Sequence, residues 1–243
     1  MNQQLLLWIA LAGYVAGGIA SASRRTGIAI ALSLVGTGAH LTFVFVRAAA
    51  AGVLPFASRF EAVALFALSI EACGLLLAVA TKRHPIKVVT DFLGASVLAL
   101  SLLVLGFQPP APLNPILDSR WFASHILFAF AGYGVLVAGL VWSITVGTAG
   151  VSRRLGLAVV VLLGTGILLG AIWADESWGS YWSWDPKEAW ALLTWMLVVT
   201  YLHVAGPRPK RWVSILFFAL GNLAMLFTFV GINLLKTGLH RYG

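Results

Sequence analysis

"LGLAVVVLLGTGILLGAIWADESWGSYWSWDPKEAWALLTW", residues 155–195, decides the fold. Residues 155–173 hold no charged side chain and are apolar all round, long enough to cross a bilayer core of about 30 Å as a helix. The middle of the stretch crowds Trp173, Trp178, Tyr181, Trp182, Trp184 and Trp190 beside Asp175, Glu176, Asp185, Lys187 and Glu188. An apolar run then resumes. The stretch therefore reads as two membrane helices joined by an aromatic, charged connection.

The whole chain supports that reading. It is 60% hydrophobic and 10% charged, with mean hydropathy +0.94. A soluble domain carries about 25% charged residues, so this composition cannot clothe a solvated surface. Barrel strands would alternate apolar and polar positions, which these segments do not. The class is an all-α integral membrane protein, read as a single polytopic domain over residues 1–243. The first apolar stretch lacks a basic leader and a cleavage site, so it is expected to be a span rather than a signal peptide.

Charged or Pro/Gly-rich breaks divide the sequence into about eight helices: 4–22, 27–46, 60–81, 90–107, 120–148, 155–173, 187–205 and 212–235. Lys and Arg are unequally shared between alternate loops. Arg24, Arg25, Lys82, Arg83, Lys87, Arg153, Arg154, Arg208, Lys210 and Arg211 fall on one side, ten against six. The positive-inside rule makes that side cytoplasmic. Both termini and the tryptophan-rich loop then face outward. The net charge of +8 is accounted for by these loops, so no nucleic-acid partner is expected. The single cysteine, Cys73, excludes an internal disulfide, a CxxC redox pair and a CxxCH haem-attachment motif within the chain.

Interfacial anchoring in lipid explains isolated rings such as Trp8, Trp121 or Trp212. It does not explain five indoles within eighteen residues, Trp173 to Trp190. Such a concentration suits a large flat ligand, bound by stacking and apolar burial. Trp178 and Trp182 share a face if that stretch is helical. Asp185 has a plain structural role as helix N-cap, with Pro186 at the first helical position. Three histidines sit where an external ligand could meet them. His125 lies about one and a half turns below the outer end of the fifth span, His40 about two turns below that of the second, and His240 in the tail "GLHRYG". His203 lies near the inner end of the seventh span, and His84 in a basic loop. Neutral imidazole is a common axial ligand of haem iron. A haem fits the aromatic loop, with His125 and His240 on the iron and Arg59, Lys187 or Arg241 on the propionates.

These residues resemble a known family. "WADESWGSYWSWDPKEAWALLTW" (173–195) is similar to the WWD signature of the haem-handling proteins of cytochrome c biogenesis, and WDPKE with "YLH" (201–203) resembles the CcsA/ResC branch, System II. "LDSRWFASHILFAFAGYGVL" (117–136) is similar to the segment carrying that family's first external histidine, and "GINLLKTGLHRYG" (231–243) to the one carrying the second. The resemblance implies His125 and His240 as external axial ligands of haem b. It places Trp173, Trp178, Gly179, Tyr181, Trp182, Trp184, Asp185 and Trp190 in the WWD haem-binding segment. His203 matches the membrane-embedded histidine, a candidate ligand for a transmembrane haem, and Glu61 falls on a characteristic glutamate.

By the same resemblance, a CcsB/ResB-like membrane protein and an apocytochrome c bearing CxxCH are the expected partners. The setting is a bacterial-type cytoplasmic or a thylakoid membrane. The activity implied is haem export and thioether attachment, a holocytochrome c synthase in which placement of haem is the protein's contribution. No nucleophile–base pair is evident, so no catalytic residue is assigned. The alternatives are a CcmC-like haem chaperone without attachment activity and a small-molecule transporter with an aromatic gate.

Overall fold

The structure, a computed structural model, describes residues 2–52, 54–56, 58–109 and 114–232. Eight α-helices follow one another: α1 Gln3–Ala22, α2 Thr26–Ala51, α3 Arg59–Thr81, α4 Pro85–Leu100, α5 Arg120–Thr145, α6 Ala149–Trp178, α7 Pro186–Val204 and α8 Arg211–Leu226. A π-helical turn extends α4 over Ser101–Leu105, and another extends α8 over Phe227–Gly231. Among the described residues, seven helices, counting those extensions, are long and apolar enough to cross a membrane. The chain is thus a multi-pass membrane protein. Only α7 falls short of that hydropathy, because Lys187, Glu188, Trp190, Trp195, Tyr201 and His203 dilute its apolar residues.

The helices form two units, Met1–Pro115 and Ile116–Gly243. In the first, α1 lies against α2 and α4, and α3 against α2 and α4. Small residues set the α1–α2 approach: a Cβ on Gly13 would stand 2.6 Å from the Gly36 Cα, so nothing larger than hydrogen fits there. Close crossings of this kind drive helix association in lipid, where the hydrophobic effect cannot. Leu7, Ala10, Tyr14, Phe43, Phe60 and Leu98 form the core of the unit.

One boundary differs from the sequence reading in a way that matters. The span expected to stop at residue 46 continues to Ala51, which draws Arg47 into the interior at 1% exposure. Its Nε donates to Glu61 Oε1 at 2.7 Å, and its terminal nitrogen donates to the Gln108 carbonyl at 2.6 Å. The rings of Phe43, Phe60 and Phe107 stand 5.7–6.0 Å from the guanidinium. Glu61 also completes a capping box at the start of α3: its backbone N–H donates to the Ser58 hydroxyl, and its carboxylate accepts the Ser58 N–H.

The second unit repeats the same plan, with α5 against α6 and α8, and α7 against α6 and α8. Side-chain donors tie its helices to one another's carbonyls. Trp195 Nε1 donates to Val160 O at 2.9 Å, Asn222 Nδ2 to Leu136 O at 3.2 Å, and an Arg153 guanidinium nitrogen to both Leu202 O and Gly206 O at 3.0 Å. The Arg153 bonds reach one carbonyl in the last turn of α7 and the Gly206 carbonyl just beyond it. Helix α6 is longer than the expected 155–173, running 30 residues to Trp178. Gly179, in the left-handed conformation at φ 73°, terminates it.

Neutralising Glu61 should leave a buried guanidinium without its counter-charge. Glu61→Gln is expected to lower stability by about 3–5 kcal/mol, whereas the double variant Arg47→Leu/Glu61→Leu recovers most of that loss. Thermal melts of the detergent-solubilised chain, followed by circular dichroism, check both outcomes.

Candidate functional site

Because helices alternate in direction, the start of α5, the end of α6, the start of α7 and the end of α8 meet at one end of the second unit. That end carries the aromatic segment. Trp173, in the penultimate turn of α6, is 1% exposed, and its indole N–H donates to the Ile116 carbonyl at 2.9 Å. Phe122 lies 4.8 Å from its ring and Trp178 5.0 Å away, nearly perpendicular. Trp173 is therefore the buried backing of the site rather than an open face.

His125 sits on this backing. Its ring is nearly parallel to Trp173, 14° between planes at 6.5 Å. Its Nδ1 lies 2.7 Å from the Gly166 carbonyl. A carbonyl only accepts, so Nδ1 is the donor of this bond, and a neutral imidazole so protonated has its lone pair on Nε2. One turn along α6, Gly170 makes room for the imidazole: a Cβ there would come within 2.6 Å of Nδ1. Gly166 and Gly170 form a seat that fixes both the position and the tautomer of the histidine.

The connection from Gly179 to Asp185 is held by the first turn of α7. Asp185 is 4% exposed, and its Oδ1 accepts the Lys187 N–H at 2.9 Å. Glu188 answers by accepting the N–H groups of Asp185 at 3.1 Å and Ser183 at 2.9 Å. Asp185 is thus the N-cap of α7, with Pro186 at the first helical position. Two large rings remain outward. Tyr181 and Trp184 are exposed, Trp184 at 72%. Trp184 also has φ 57°, a left-handed conformation that costs a bulky residue about 1–3 kcal/mol and clusters at ligand sites. A bond to the Asp175 carboxylate, and its charge, raise the pKa of the Tyr181 hydroxyl above its ordinary value.

The five indoles do not make one flat platform. Trp173 and Trp178 join His125 and Phe122, Trp182 and Trp184 meet edge to face at 5.7 Å, and Trp190 lies 4.2 Å from Phe227 of the α8 extension. Trp178 and Trp182 do not share a helical face, because α6 ends between them. Lys187 is half-buried in the first turn of α7 at this same end.

His203 is elsewhere. It is exposed near the far end of α7, seventeen residues past Pro186 and about 26 Å along the axis, with Nδ1 donating to Val199 O at 2.8 Å. Arg59, Glu61 and His40 belong to the first unit. Arg59 is exposed at the start of α3, and His40 is fully buried, its Nδ1 3.1 Å from the Tyr14 hydroxyl. His240 and Arg241 lie outside the described residues. Phe122, Gly166, Gly170 and Phe227 went unnoticed in the sequence reading. The Gly-x-x-x-Gly spacing at 166–170 was the available signal for the seat.

Comparison with known proteins now bears on this arrangement. The family model described as "Cytochrome C assembly protein" matches residues 57–240. "Cytochrome c biogenesis protein CcsA" of Chlamydomonas reinhardtii is 36% identical over 190 residues, which cover 64% of this chain and 52% of that protein. This chain thus spans about half of that relative's length. The protein of the same name from Gloeothece citriformis is 28% identical, covering 79% of this chain and 80% of its own, and that of Pyropia yezoensis 27%, covering 98% and 92%. Among solved structures, "Cytochrome c Heme Lyase CcmF" superposes with TM-score 0.73 at 17% identity, over 93% of this chain and 46% of that one, a likeness of fold. The match over three quarters of the sequence is decisive: the chain belongs to the cytochrome c assembly protein family, and its role lies in cytochrome c maturation.

Proposed function

We propose that the chain takes haem b as its substrate at the aromatic end of the second unit and presents it for attachment to an apocytochrome c. The observation that supports this most directly is the seat of His125. An imidazole whose Nδ1 proton is committed to the Gly166 carbonyl has its lone pair on Nε2 and a fixed ring orientation, as iron ligation requires. The ring rests on Trp173, and the strained, exposed Trp184 stands on the same connection as Trp182. His240, eight residues beyond the last described residue at that end, is the second axial ligand on this reading. Lys187 and Arg241 are the propionate candidates.

Attachment adds each cysteine S–H of a CxxCH motif across a haem vinyl group. A carbon–sulfur bond forms, the hydrogen goes to the other vinyl carbon, and no oxidant is consumed. The protein then contributes placement: two imidazoles hold the iron while the aromatic rings orient the vinyl edge. A CcsB-like membrane protein is the proposed partner. The aromatic end faces outward from a bacterial cytoplasmic or thylakoid membrane, as the bias of Lys and Arg between loops suggests. His203, about 26 Å away along α7, serves a separate transmembrane haem on this reading.

Replacing Trp178, Trp182 and Trp184 together with alanine should abolish haem co-purification without preventing membrane insertion. His125→Ala should shift the bound haem toward a high-spin spectrum, with added imidazole restoring the low-spin form; an unchanged spectrum would refute the ligand. Gly170→Ala tests the seat itself. Its methyl group displaces the imidazole, so a partial high-spin shift is expected with the fold intact. His203→Ala should reduce haem delivery while leaving the aromatic site able to bind supplied haem. Covalent haem on a co-expressed apocytochrome distinguishes a synthase from a haem chaperone: haem binding without attachment, with the CcsB-like partner present, would establish the chaperone.

A further inference from the structure

The first unit buries a group of ionisable side chains that belongs to none of the proposed haem contacts. Lys87 of α4 is 1% exposed, and Glu71 of α3 and Asp91 of α4 are fully buried. Lys87 Nζ donates to Glu71 Oε2 at 2.7 Å and also to Asp91 Oδ1. The fully buried Ser33 hydroxyl of α2 donates to Asp91 Oδ1 at 2.9 Å. Glycines close the cluster tightly: a Cβ on Gly94 would stand 2.6 Å from Glu71 Oε1, and one on Gly17 would stand 3.3 Å from Asp91 Oδ2. Counting by helical rise, Asp91 lies about 9 Å from the start of α4 and Glu71 about 15 Å from the end of α3, well inside the spans.

Charge and hydrogen bonds do not balance here. Two carboxylates share one ammonium, which leaves one negative charge in a low-dielectric interior. Glu71 Oε1 and Asp91 Oδ2 are buried and accept no hydrogen bond. From α1 the titratable group facing the cluster is Tyr14, whose hydroxyl is engaged by His40 of α2; α2 otherwise offers hydroxyls, Ser33 and Thr37. None supplies a second positive charge. Both carboxyl groups bond the same Lys87 ammonium, which brings them together around one nitrogen.

We propose that Glu71 and Asp91 hold one exchangeable proton between them, a proton-binding site inside the first helical unit with Lys87 kept charged. A proton satisfies both deficits together: it removes the uncompensated charge and turns one orphaned oxygen into a donor to the other carboxyl group. A metal cation fits worse, because the Lys87 ammonium already occupies the point between the carboxylates and would repel it. The site stands independently of haem binding, since no residue of the aromatic end belongs to it.

Infrared spectroscopy of the full-length chain in lipid, at neutral pH, tests this directly. The wild type should show the carbonyl stretch of a protonated carboxylic acid, shifted on exchange into deuterated water. Glu71→Gln and Asp91→Asn should each abolish that band while keeping the wild-type melting profile, because each leaves one carboxylate paired with Lys87. The double variant strands Lys87 and should lose the fold. No acid band in the wild type, or a band that survives either single substitution, overturns the proposal. A band present in choline chloride but removed by sodium chloride also overturns it, in favour of an alkali-cation site.

Discussion

Lipid offers no hydrogen-bond partner, and that constraint governs this molecule from its backbone to its site. It forces the chain into helices, whose backbone groups bond internally. It then requires each polar side chain within the spans to find a partner in its own four-helix unit, since an unpaired buried polar group costs several kcal/mol. The solution recurs throughout the second unit: a donor on one helix reaches a carbonyl on a neighbour, as Trp195 does to Val160, Asn222 to Leu136 and His125 to Gly166. A carbonyl already bonded along its helix has a second lone pair, so these bonds are made without unwinding the acceptor helix.

Such reach depends on close approach, and close approach depends on small residues. His125 meets Gly166 because α5 and α6 nearly touch there, the Ala129 backbone lying 3.2 Å from where a Gly166 Cβ would be. Packing and chemistry are therefore one feature at this site. The glycines that let two helices associate also determine which nitrogen of the imidazole carries the proton. The first unit uses the same device in a different setting, where Gly17 and Gly94 admit charged groups rather than an aromatic ring.

Much of this was legible in the sequence. Eight apolar runs became eight helices, Asp185 and Pro186 announced the start of α7, and the dense indoles lie together at one end of the second unit. Helix ends were harder to read. Arg47 looked like a loop cation because a charge is expensive in lipid, and nothing local reveals that Glu61, fourteen positions later, neutralises it. The end of α6 was placed at Trp173 because hydropathy falls at Asp175, although hydropathy reports where lipid stops rather than where hydrogen bonding stops. The supposed single platform failed for a related reason. Sequence proximity groups the five indoles, but Trp173 meets Trp178 at 76° and Trp182 meets Trp184 at 88°, so they present no common face.

The length of α6 also acts as a vertical ruler. Its thirty residues span about 45 Å, against about 30 Å of hydrocarbon. Arg153 and Arg154 near one end and Asp175 and Glu176 near the other bracket an uncharged stretch of twenty residues, close to the membrane thickness. Those charges resist sliding into the oil, so the helix is clamped at a fixed height. Trp178 then rides about one turn above the hydrocarbon boundary, among headgroups, while His125, which bonds the Gly166 carbonyl and abuts Gly170, lies about two turns of α6 below it. The depth of the site is set by the number of residues between two pairs of charges. A bilayer appreciably thicker than that interval must thin locally around α6 or submerge the aromatic segment.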